Sequence, residues 1–135
     1  MNNVALIEDF FQKHILKLFL LIAATTILLA IENYNDYHAY KIGDWLINYQ
    51  AGFIRRGFFG EFIFILHEAS SIDLGVILIF FQIITYLLIF FLIFRLIKFN
   101  KDYFSYSLVL ISPFFLLFHI ADYQGGFRKE ILYFL

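Results

Sequence analysis

Two short segments hold the residues best suited to chemistry. Residues 48–53 read Asn-Tyr-Gln-Ala-Gly-Phe and residues 122–127 read Asp-Tyr-Gln-Gly-Gly-Phe, so four of the six positions are identical and the other two are close replacements. Each segment then turns basic, into Ile54-Arg55-Arg56 in one case and Arg128-Lys129 in the other. Arginine forks bind phosphate oxygens in pairs, and glycines let backbone amides come close to an anion. Gly52 and Gly126 supply that freedom inside the motifs, with Gly57, Gly60 and Gly125 in or beside them. Tyr49, Phe53, Tyr123 and Phe127 are rings of the kind that settle at lipid head-group level or stack on a sugar. This pattern predicts recognition of a lipid phosphate or diphosphate, with Arg55, Arg56, Arg128 and Lys129 as the cations. The plainer alternative is that these cations only anchor helix ends against ordinary anionic head groups. The residues alone leave both open.

Transfer of a sugar from such a carrier needs a carboxylate to deprotonate the acceptor hydroxyl and a cation to steady the departing phosphate. Asp44, shortly before Asn48, and Asp122, which opens the second motif, are the candidates for the base. For each, a structural ion pair with a neighbouring Arg is the competing role. Asp36 and Glu61 lie in the same stretch as Asp44, and Glu130 beside Lys129 suits a first helical turn. His38 and His67 share that stretch as well, while His14 beside Lys13 reads as an anchor. No two histidines have metal-ligand spacing, so no metal is expected. His119 stands about one helical turn before Asp122, which would allow a proton relay or a metal pair, although a hydrogen-bonded interfacial histidine is the simpler role. Cysteine is absent from the sequence, which excludes disulfides and thiolate chemistry. There is no Walker loop, dinucleotide fingerprint, HExxH or nucleophile elbow, and the cofactor stays unknown.

The elements that must position these residues are apolar helices. The 135 residues are 62% hydrophobic and 16% charged, against about half and one quarter in an ordinary soluble domain. A water-soluble fold of this length could not hide that much apolar surface. The net charge of −1 offers no field for nucleic acid. A crossing needs about 20 mostly apolar residues. The sequence predicts three: Ile15 to Ile31, Leu74 to Ile97 and Ser105 to Ala121. Lys17 sits near the start of the first, where a long side chain reaches the head groups. The same run with Lys13 and Lys17 before it could be a signal peptide, but no small-residue cleavage site follows, and a retained anchor is expected. Gln82, Thr85 and Tyr86 interrupt the second run, and Pro113 the third. Residues 32–73 form a loop too polar for lipid, and its apolar stretch Gly57 to Leu66 suits an interfacial or re-entrant helix. Ile131 to Leu135 is apolar again and reads as the start of a fourth crossing, so the chain is expected to be part of a longer membrane domain. The fold class is all-α: a polytopic transmembrane helical bundle forming a single domain over residues 1–135.

Two predicted crossings separate the two motifs, which puts both on the same side of the membrane in either orientation. Lysines and arginines divide evenly: Lys13, Lys17, Arg95, Lys98 and Lys101 on one side, and Lys41, Arg55, Arg56, Arg128 and Lys129 on the other. The positive-inside count is therefore tied. The first set lies at bare helix ends, where topogenic charges act. The expected orientation has a cytoplasmic N-terminus, with the long loop and both motifs outside.

The run Asp44-Trp45-Leu46-Ile47-Asn48-Tyr49-Gln50-Ala51-Gly52-Phe53-Ile54-Arg55-Arg56-Gly57-Phe58-Phe59-Gly60, with Asp122 to Glu130 later, resembles a pattern in multispanning bacterial surface-polysaccharide membrane proteins. These are similar in layout to O-antigen polymerases and to the GT-C class of polyprenyl-phosphate-sugar glycosyltransferases. The resemblance covers about one fifth of the chain. It implies a catalytic acid in the first outer loop, which Asp36 or Asp44 would supply. It also implies outer-loop arginines around a lipid-linked sugar, which Arg55, Arg56 and Arg128 would supply. Members of both groups carry more helices than this chain.

The sequence therefore supports a protein of the bacterial inner membrane that binds a polyprenyl-phosphate- or diphosphate-linked sugar at the outer face. In that role Arg55, Arg56, Arg128 and Lys129 hold phosphate; Tyr49, Tyr123, Gly52 and Gly126 line the site; and Asp44 or Asp122 acts as base. Its partners would be membrane lipid, the lipid-linked sugar, and further subunits in a homo- or hetero-oligomer. Whether it transfers the sugar stays open. A transporter or flippase for a lipid-linked anion is the second possibility, since internal repeats are common there. A non-catalytic membrane subunit is the third.

Overall fold

The computed structural model describes residues 3–35, 39–50, 57–100, 112, 117–122 and 126–134. Among them every regular element is helical. In order they are α1 (Asn3–Asn35), α2 (Ala39–Leu46), α3 (Phe58–Ser70), α4 (Leu74–Asn100), the single turn α5 (Phe118–Ala121) and a 3₁₀ helix (Lys129–Phe134).

Two of these helices are long and apolar enough to cross a membrane, over Gln12–Asn35 in α1 and Leu74–Phe99 in α4. They pack as an antiparallel pair. The end of α1 meets the start of α4 where Tyr34 approaches Asp73 and Gly75, and Phe19 lies edge-on to Phe94 near the other end, with centroids 5.4 Å apart. The buried residues of α1 are Ile15, Phe19, Ile22, Thr26, Ala30 and Asn33. Steps of three and four residues draw one narrow seam along a helix, as ridge-into-groove packing requires. Leu16, Leu20, Leu21 and Leu28 lie off that seam and are exposed, as are Phe80, Ile84, Phe91 and Leu92 on α4. Only 28% of the apolar window in α1 and 39% of that in α4 are buried, whereas the core helix of a soluble protein would be mostly covered. Apolar residues thus run round both helices, and packing uses one face of each. Because α1 contributes Ile15, Phe19, Ile22 and Ala30 to the main core, α4 would lose its partner without it.

A second core forms at the α1-end, α4-start pole. There Ile42 and Trp45 of α2, Ile63 of α3, and Ile77 and Leu78 of α4 pack together, with Phe62 edge-on to Phe81. The expected apolar stretch Gly57 to Leu66 forms the N-cap and first part of α3. Gly60 lets α3 press on the chain after α2, since a Cβ there would sit 2.1 Å from the Ile47 carbonyl oxygen. The α3–α4 connection is short and well capped. Ser71, in the left-handed region at φ 56°, donates its N–H to the His67 carbonyl, and Asp73 Oδ1 accepts the N–H groups of Gly75 and Val76. That is the N-cap chemistry of Asp, satisfying amides that a helix start leaves without carbonyl partners.

Among the described residues two helices are long and apolar enough to cross a membrane, and they contain the first and second predicted crossings. Of the third run, Ser112 and Leu117–Ala121 are described, and only Phe118–Ala121 of these are helical. The rest of Ser105 to Ala121 lies outside the described residues. The expected start of a fourth crossing is 3₁₀ rather than α-helical up to Phe134.

Candidate functional site

The end of the second motif, Gly126 and Phe127, is buried in the protein rather than laid on its surface. Phe127 is 1% exposed and has φ 61°, a left-handed conformation that non-glycine residues adopt only when held there. Three side chains hold it. Its carbonyl oxygen accepts the indole N–H of Trp45 at 2.7 Å and the Gln82 amide at 3.2 Å, and its N–H donates to the Tyr86 hydroxyl at 3.1 Å. Two residues on, the Lys129 N–H donates to Asp44 Oδ2 at 3.1 Å. Trp45 and Asp44 belong to α2, Gln82 and Tyr86 to α4. Both α4 residues come from one face, four positions apart.

Gly126 precedes Phe127 for a steric reason. A Cβ there would lie 2.7 Å from the His119 carbonyl oxygen, 2.9 Å from its Cα and 3.0 Å from the Asp122 carbonyl oxygen. The Gly126 N–H donates to that Asp122 oxygen, closing the turn that follows α5, and the Asp122 N–H ends α5 on the Phe118 carbonyl. Below the turn, His119 is buried with its ring 4.4 Å from Tyr86 and 5.5 Å from Phe127. Its Nε2 lies 2.7 Å from Thr26 Oγ1. The Thr26 hydroxyl also donates to the Ile22 carbonyl at 2.8 Å, and the Nε2–H tautomer of His119 satisfies both contacts at once. His119 is therefore a tether between α5 and α1. The expected alternative, a relay or metal pair with Asp122, is not the contact its Nε2 makes.

A buried cation completes the polar centre. Lys41 of α2 is 3% exposed and its Nζ donates to Asn33 Oδ1 at 2.8 Å. Burial pushes its pKa below the ordinary value of 10.5, and the nearby carboxylates of Asp122 and then Glu32 push the other way. Lys41, Asn33, Tyr34 and Gln82 border a cavity of about 10 Å³. That is room for roughly one water molecule and no more, so a phosphate or sugar would need side chains to move.

The expected site residues are thus distributed as follows. Asp44, Gly126, Arg128 and Lys129 come together around the Phe127 peptide, and Asp122 joins them through its turn and its proximity to Lys41. Lys129 is buried and Arg128 half-buried, so neither is a freely waving surface cation. Asp44 spends one carboxylate oxygen on the second motif. Tyr49 belongs to a separate contact: its N–H donates to Glu61 Oε2 at 3.1 Å and its ring covers Gly57. Gly52, Arg55, Arg56 and Tyr123 lie outside the described residues, as do Asp36 and His38. Sequence reasoning missed Lys41, Trp45, Thr26, Gln82 and Tyr86 as members of the centre. The available signal was the polar interruption of the α4 run, because polar groups inside an apolar helix are costly unless partnered. Among the described residues no three His, Asp or Glu side chains converge where they could hold a metal ion.

No family model matches the chain, and neither a curated protein nor a solved structure does.

Proposed function

We propose that the protein sits in the bacterial inner membrane and binds a polyprenyl-phosphate- or diphosphate-linked sugar at the outer face, as a component of cell-surface polysaccharide assembly. The observation that carries this reading is the joining of segments far apart in sequence into one polar centre. Asp44, ahead of the first motif, holds the Lys129 N–H of the second, and Trp45 holds the Phe127 carbonyl. The centre runs from Lys41 and Asn33, at the α1-end, α4-start pole, inward to Gln82 and Tyr86 on α4, so an anionic head group entering at that pole would meet a line of buried polar groups. Arg128, with Arg55 and Arg56 from the first motif, supplies phosphate contacts, and Asp44 or Asp122 serves as base if the sugar is transferred. Lys129, being buried, contributes charge and its backbone more than a direct grip.

The test is surface-polysaccharide chain length and amount in cells whose own copy is replaced by variants. Arg55→Ala and Arg128→Ala are expected to shorten or abolish the polymer, while Lys98→Ala at the opposite end of α4 leaves it intact. Equal effects from all three would refute the proposal.

One observation favours a second reading, a transporter or flippase for a lipid-linked anion. Residues 126–128 are irregular backbone placed beside α4, and such backbone in a membrane is tolerated where it lines a pathway or is buried in protein. Movement of a fluorescent prenyl phosphate between leaflets of reconstituted vesicles separates the two. Binding without movement supports the first reading.

A further inference from the structure

The Phe127 peptide is gripped from both ends by side chains that the anion site itself does not need. Gln82 and Tyr86 stand ~12 Å and ~18 Å along α4 from Leu74, at 1.5 Å per residue. Both are buried, as are Trp45 and the Phe127 ring between them. An apolar helix pair would pack with leucine at positions 82 and 86 at no cost in unpartnered polar groups. The two polar groups earn their place only because a non-helical peptide arrives there with an N–H and a C=O to satisfy. The φ of 61° at Phe127 sharpens the point, since strained backbone persists only where its surroundings over-determine it. Asp122 lies on one side of this peptide and Arg128 directly on the other, so their separation depends on how the peptide is held.

We propose that Trp45, Gln82 and Tyr86 are positioning residues: they clamp the Phe127 peptide and thereby fix where Asp122 and Arg128 stand for an anionic ligand. This rests on the reading of the site as a binder of lipid-linked phosphate. The clamp touches no ligand. It acts through the backbone, by removing the freedom of Arg128 to leave the site, which is the general way preorganisation improves affinity. It also makes the molecule self-reporting, because Trp45 is the single tryptophan of the chain and its indole N–H is one of the three clamping groups.

The experiment uses the whole chain in phosphatidylcholine nanodiscs, titrated with farnesyl diphosphate by calorimetry and, where Trp45 is retained, by its emission. Wild type is expected to bind saturably with a change in Trp45 emission. Gln82→Leu, Tyr86→Phe and Trp45→Phe are each expected to bind about tenfold more weakly, the effect of one lost interaction of ordinary strength. Each leaves a buried Phe127 backbone group short of a partner, so its thermal midpoint should fall below that of Thr25→Val, which removes a hydroxyl bonded within α1. Ile63→Val, which loosens the second core without removing a clamping hydrogen bond, is the control for lost stability and should bind like wild type. Tyr86→Phe keeps the ring and its packing, so it serves if Gln82→Leu does not fold. Clamp variants that bind like wild type, while Arg128→Ala binds weakly, would overturn the clamp and leave the anion site standing. Affinity lost to the same extent in Ile63→Val would also overturn it. Arg128→Ala binding as tightly as wild type would overturn the anion site and the clamp with it.

Discussion

Replacing Gly126 with alanine adds one methyl group at the tightest backbone approach in the second motif. The new Cβ would meet the His119 carbonyl oxygen and Cα and the Asp122 carbonyl oxygen at 2.7–3.0 Å. These atoms must retreat by roughly half an ångström to reach ordinary van der Waals distance. They are backbone atoms, so no side-chain rotation can absorb the strain. Overpacking of this kind costs about 1–3 kcal/mol, and a backbone obstacle places it in the upper half of that range. The Gly126 N–H bond to Asp122 is strained as well, and losing it adds about 1 kcal/mol. The expected loss is therefore about 3–4 kcal/mol. Unfolding in mixed detergent micelles followed through Trp45 emission measures it, and the native emission should shift to the red as the Trp45 bond to Phe127 loosens. Gly125→Ala is the internal control, because the first motif carries Ala51 at the corresponding place. It should cost less than about 1 kcal/mol. If Gly126→Ala were within about 0.5 kcal/mol of wild type, the close approach of the turn to α5 would be wrong.

Two further outcomes follow from the buried polar contacts. Thr26→Val keeps the volume of the side chain but leaves the His119 Nε2–H without its acceptor, and should cost about 1–2 kcal/mol; in a double-mutant cycle with His119→Phe, the coupling should be about 0.5–1.5 kcal/mol, and additivity would refute the tether. Lys41 gives a pH dependence: burial lowers its folded-state pKa, so between that value and 10.5 the unfolded chain binds more protons than the native one, and stability rises with pH across that window. Lys41→Met should abolish the rise, and identical slopes in the two proteins would refute it.

The long helices were legible because hydropathy measures what lipid selects, and α4 begins at Leu74 where the apolar run does. The same signal does not mark the start of α1. Its apolar run opens at Ile15, yet the helix opens at Asn3, since Gln12, Lys13 and His14 are polar without being helix breakers. Hydropathy marks the lipid-facing part of a helix and says little about where the hydrogen bonding begins. The eight-residue α2 was not readable for the opposite reason. It is too short for an apolar period to stand out and too short to be stable alone. Trp45, at 0% exposure, and Ile42 fix it against α3 and α4, and those contacts are invisible until the chain is folded.

The candidate site was legible as two similar strings and illegible as a structure. The echo drew attention to cations and glycines, which are the residues that differ most from an apolar background. It gave no hint that Lys129 is buried or that Asp44 bonds to its N–H. Yet one part of the answer stood in α4 itself. Gln82 and Tyr86 fall four residues apart, hence on one face, in a run otherwise made for lipid or close packing. A donor amide and a hydroxyl placed that way cannot be served by the carbonyls of their own helix alone, and a regular helix packed alongside has no backbone groups to offer them. The partner they require is a stretch of chain that is not helical and that carries an N–H and a C=O in need of bonds. The turn at Gly126 and Phe127 is such a stretch, and the Phe127 backbone meets both side chains at 3.1–3.2 Å. Polar residues at that spacing in an apolar helix thus predict irregular backbone packed against them, and the motif with adjacent glycines is where to look for it.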